Sequence, residues 1–130
     1  MPDIHGILFN AHIMFAVVIG IWAAVMVARG EAVDGGFWGS VAIYTVLVGV
    51  TTLVGVIMVI LDFRPADGEL SSYFIYMAFL VAAMPGMFAI LRGRNDSVAA
   101  IVFSVLAFFN AGTAMSMATR GLVYGWMEIS

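Results

Sequence analysis

A chain of 130 residues that is 64% hydrophobic and carries five basic and eight acidic residues lies outside the soluble norm of about 45 to 50% apolar. Its mean hydropathy of +1.11 and net charge of −3, with no basic patch, exclude nucleic acid as a partner and point to the lipid bilayer. Zero cysteines remove disulfides, iron–sulfur clusters, thiolate metal sites and thiol nucleophiles, so any redox role belongs to a bound cofactor.

Four runs contain no Asp, Glu, Lys or Arg: residues 4–28, 35–61, 70–91 and 97–119. A hydrocarbon core of about 30 Å takes about 20 apolar residues in helix, and each run is long enough. The first lacks a preceding basic segment and is longer than the apolar h-region of a signal peptide, so it reads as a retained helix over about 4–28. Arg29-Gly30 closes it, a basic residue followed by a glycine. The second helix, about 37–61, opens on Phe37-Trp38 at headgroup depth and ends before Pro65. Ser71 or Ser72 is expected to cap the third, about 72–91, with Tyr73 and Tyr76 in an interfacial belt. A turn at residues 92–96 leads into the fourth, about 97–119, and the tail places Tyr124 and Trp126 along the interface.

Short links make consecutive helices neighbours, which predicts one transmembrane domain over 1–130. The fold class is an all-α membrane protein, with four transmembrane helices in an up-and-down antiparallel bundle. Both termini share one side. Arg29, Arg92 and Arg94 oppose Arg64 and Arg120, a bias that puts both termini outside the cytoplasm of a bacterial inner membrane.

Helices in lipid associate through small residues, so small-residue stripes are expected to mark interfaces. The fourth helix carries Ser104, Ala107, Ala111, Ala114 and Ala118; the second Thr45, Gly49, Thr52 and Gly55; the third Ala78, Ala82, Pro85-Gly86 and Ala89. On the first, Ala16, Gly20, Ala23 or Ala24, and Val27 extend backwards to His12, Phe9 and His5. Phe79, Phe88, Phe103 and Leu106 are left for lipid or a partner.

Both histidines therefore face protein, two turns and about 10.5 Å apart. Intramembrane histidine is costly unless paired or functional. His12 lies about 12 Å inside its helix, level with Asn110 and Thr113, either of which satisfies it as structural glue. Alternatively, His12 is an axial ligand to haem b or a chlorophyll-type pigment. A quinone site is a third reading, with His5 or His12 beside Asp62 or Tyr73. No carboxylate pair, nucleophile elbow or metal cluster appears, which argues against catalysis. The expected function is a small integral membrane subunit of a larger, energy-transducing complex, packed against other membrane subunits. The alternative is a small homo-oligomeric transporter or channel subunit.

Overall fold

The computed structural model describes residues 2–65, 69–92, 96–120, 122–123 and 126–128. In chain order these form α1 (Pro2–Ala28), α2 (Gly35–Ile60), β1 (Phe63–Arg64), α3 (Leu70–Ile90), α4 (Ser97–Thr119) and β2 (Met127–Glu128). All four helices are long and apolar enough to cross a membrane, and the chain is an integral membrane protein. The helix boundaries fall within about two residues of those expected, because charge and turn residues punctuate the apolar runs so sharply.

The ends are built by local chemistry. Asp34 accepts from the Phe37 amide at 2.8 Å and Asp96 from the Ala99 amide at 3.2 Å, so a carboxylate meets unpaired N–H groups at the starts of α2 and α4. α1 ends on Gly30 at φ 64°, where the Gly30 and Glu31 amides bond back to Val27 and Met26. The cap expected at Ser71 or Ser72 is not formed. Leu70 already begins α3 with Glu69 at the cap position and no side-chain bond, so both serines lie within the first turn.

The helices form a ring in which α1 touches α2 and α4, and α3 touches the same two from the far side. α1 and α4 make the closest pair. Their small-residue stripes are buried as expected: Ala16, Gly20 and Ala23 on one, Ala107, Ala111 and Ala114 on the other. The Phe108 ring rests on Gly20, where a Cβ would come within 3.0 Å of it, and Ser104 Oγ donates to the Gly20 carbonyl at 3.0 Å. Close backbone approach and interhelical hydrogen bonding are the two forces that lipid leaves available.

Elsewhere the stripe rule fails in instructive ways. α2 buries Phe37, Val41, Tyr44, Val48, Thr51, Gly55 and Met58, so Thr45, Gly49 and Thr52 lie beside the contact and only Gly55 within it. The Thr45 and Thr52 hydroxyls bond their own helix at Val41 and Val48 and need no neighbour. α3 is inverted: Tyr73, Met77, Leu80 and Met84 point inward, while Ala78, Ala82, Pro85, Gly86 and Ala89 are exposed. Unbranched methionines fill the irregular space opposite α1 that alanines would leave empty. Phe103, expected outside, is fully buried with its ring edge-on to Trp38 at 5.0 Å. Phe79 and Phe88 stay exposed and Leu106 is half-buried.

The tail also departs from expectation. β2 pairs antiparallel with β1, Phe63 opposite Glu128 and Arg64 opposite Met127, which folds Trp126 into the bundle rather than along its surface. Tyr124 lies outside the described residues.

Overpacking the α1–α4 seam tests this arrangement. Ala107→Leu inserts three carbons at a fully buried position and is expected to cost about 1 to 3 kcal/mol. Val105→Leu, on the outer face, is expected to leave the unfolding midpoint in detergent unchanged.

Candidate functional site

Polar side chains gather inside the terminal half of the bundle in two levels. The outer level is built by α1, α3 and the tail. His5 Nε2 and the Tyr73 hydroxyl are hydrogen-bonded at 2.5 Å, and both side chains are fully buried. Tyr73 reaches this position because α2 presents Gly55 to it; a Cβ there would overlap the phenol ring and hydroxyl. Trp126 covers the pair, its ring 5.2 Å from His5 and edge-on to Tyr73 at 4.9 Å.

Phe9 separates the levels, one turn along from His5 on the same face of α1. Its ring lies 6.0 Å from His5 and 4.4 Å from His12. The inner level joins α1, α2 and α4. His12 meets the Tyr44 ring edge-on at 6.3 Å, and Asn110 Nδ2 donates to the Tyr44 hydroxyl at 3.4 Å. Neither nitrogen of His12 has a hydrogen-bond partner among the described residues, nor does Asn110 Oδ1.

Of the residues singled out in the sequence, His5 and Tyr73 are joined in one level, and His12 and Asn110 contribute to the other. Thr113 belongs to neither: it bonds the Phe109 carbonyl of its own helix and lines an outer depression with Tyr76 and Phe109. Asp62 is exposed in the turn after α2, at φ 67°. The glue expected between His12 and Asn110 or Thr113 is not made, since Tyr44 takes the Asn110 bond and Thr113 turns outward. Tyr44, Phe9, Gly55 and Trp126 were not singled out as site residues. Phe9 lies on the histidine stripe and was legible there; the hydroxyls of Tyr44 and Tyr73 become inward polar groups only through the true facings of α2 and α3.

Chemically, the site holds neutral hydrogen-bonding groups among aromatic rings. Among the described residues no cluster of three His, Cys, Asp or Glu side chains exists to hold a metal. A haem b or chlorophyll-type macrocycle needs an imidazole edge facing an open slab. Neither histidine has exposed surface with the tail in this position. The chain matches no protein-family model, no curated protein and no solved structure. What defines its class is therefore its own geometry: a four-helix membrane bundle with a one-sided, histidine-bearing polar interior.

Two substitutions separate the levels. His12 is buried with no hydrogen bond among the described residues, so His12→Leu is expected to stabilise the fold by about 1 to 3 kcal/mol, measured by denaturant unfolding in micelles. A comparable loss would show that the imidazole has a structural bond. Gly55→Ala is expected to destabilise by about 1 to 3 kcal/mol and to be partly rescued by Tyr73→Phe, which removes the overlapping hydroxyl.

Proposed function

We propose that this chain is a small subunit of a larger membrane assembly, docked through the outer face of α3, with its histidine-bearing interior as the chemically active part. The inverted packing of α3 carries the reading. In lipid, large side chains belong outside and small ones at helix contacts, yet α3 turns Ala78, Ala82, Gly86 and Ala89 outward. A partner helix gains close approach from such a face, whereas acyl chains gain nothing from it. Beside it runs an apolar groove of 470 Å³ lined by Trp38, Val41, Met84, Pro85 and Phe88.

The chemical part of the reading rests on two buried histidines inside a membrane bundle, groups that suit a subunit of an energy-transducing complex. A bacterial inner membrane with both termini outside the cytoplasm is the setting that agrees with the arginine bias. The same outward face of α3 also suits a second copy, which is how a homo-oligomeric transporter or channel subunit would assemble.

A chain without cysteines allows a direct test. Ala82→Cys labelled with a benzophenone maleimide and irradiated in native membranes is expected to give an adduct with a different protein, while Val18→Cys on the opposite face of the ring gives none. An adduct of twice the chain mass selects the homo-oligomer. Equal yields from both positions would remove α3 as the docking face.

A further inference from the structure

We propose that the space held by Trp126 is the head-group site of a membrane quinone. The quinone ring lies against His5, Phe9 and Tyr73, accepts a hydrogen bond from the imidazole through a carbonyl oxygen, and displaces the indole. The inference rests on the reading of the histidine-bearing interior as the chemically active part, and it names the ligand class of that part.

The donor inventory comes first. A phenol has one proton to give; when Tyr73 gives it to His5 Nε2, the imidazole proton resides on Nδ1. That N–H is buried and unpaired among the described residues. The Val123 backbone interacts with the His5 ring without completing a hydrogen bond to Nδ1. A buried donor without a partner is costly, and a carbonyl oxygen is the group that resolves it. The hydrogen bond and ring contacts of the pair involve neutral side chains only, which favours a neutral ligand over an ion.

The indole is suited to leave. Its N–H donates to the Leu122 carbonyl at 2.9 Å, within the tail itself, so it meets His5 and Tyr73 through ring faces and edges alone. Withdrawal therefore strands no polar group in the bundle. Among the described rings around His5, Trp126 is the one that no membrane helix carries, and the adjoining β2 is held by a pairing two residues long. Trp126 and Val123 together present to His5 a flat ring and a backbone polar group, the two features that a quinone combines in one molecule. His5 sits three residues inside α1, about 4.5 Å, where a polar head meets the bilayer edge and an apolar tail can enter lipid.

The test uses the full chain labelled with 5-fluorotryptophan, in phosphatidylcholine nanodiscs, titrated with decylubiquinone and followed by fluorine NMR. Three tryptophans give three signals, and the expected result is that the Trp126 signal alone moves, saturably, while Trp22 and Trp38 stay fixed. Trp126→Ala removes the ring that competes for the space and is expected to bind about tenfold more tightly. His5→Phe keeps the ring and removes the donor, and is expected to weaken binding about fivefold. A stationary Trp126 signal, weaker binding by Trp126→Ala, or unchanged affinity in His5→Phe would each overturn the proposal. Because the titration uses the isolated chain, its failure leaves the α3 docking face standing. Loss of that face likewise leaves the titration readable.

Discussion

The contact between α1 and α4 is the constraint on which the rest of the molecule depends. Lipid tails are as apolar as leucine, so no hydrophobic effect draws these helices together, and shape and hydrogen bonding must do so. Gly20 admits the Phe108 ring, Ser104 bonds the Gly20 carbonyl, and paired alanines keep the axes close. Fixing the rotation of α1 in this way also fixes the direction of His5, Phe9 and His12, which continue the same stripe towards the N-terminus. The position of both histidines is thus a by-product of a seam formed two to four turns away.

Helix number, extent and the facing of α1 and α4 were legible because each depends on local composition: charge-free length for the spans, small residues at spacings of three and four for the seam. The facing of α2 was less so. Its threonines look like interface residues but satisfy their hydroxyls on their own carbonyls, which makes them indifferent to what lies outside. α3 was misread for a different reason. Opposite the tight seam the interior widens, and Met77, Leu80 and Met84 supply the volume that alanine cannot. Trp126 was illegible because aromatic interfacial preference is a statement about isolated rings at a surface, whereas its burial comes from a two-residue pairing between segments more than sixty positions apart.

The site follows from the same facings. Gly55 was expected as a packing glycine, and it is one, but what it admits is the Tyr73 phenol rather than a neighbouring backbone. His5 therefore acquires a partner that depends on α2, although it touches α3. Among the described residues His12 acquires none, because Asn110 is engaged by Tyr44 and the Thr113 hydroxyl has turned to its own helix. Two histidines on one stripe thus differ in kind. One is held in a hydrogen bond to Tyr73, and the other meets only aromatic rings among the described residues, with a single phenylalanine ring between them.

The distribution of polar groups bears on direction as well as chemistry. At the end of the bundle away from the termini, Trp22, Phe37, Trp38, Phe88 and Phe103 interlock through edge-on contacts with centroids 4.9 to 6.2 Å apart. An ion that crossed the bundle would have to pass this aromatic layer, which offers indole N–H donors but no charged side chain, in a medium where each unsatisfied contact is expensive. The polar levels, by contrast, begin immediately beneath the tail. The buried histidines are consequently closer to the terminal face of the bundle than to the opposite one, which is the asymmetry that the proposed quinone site relies on.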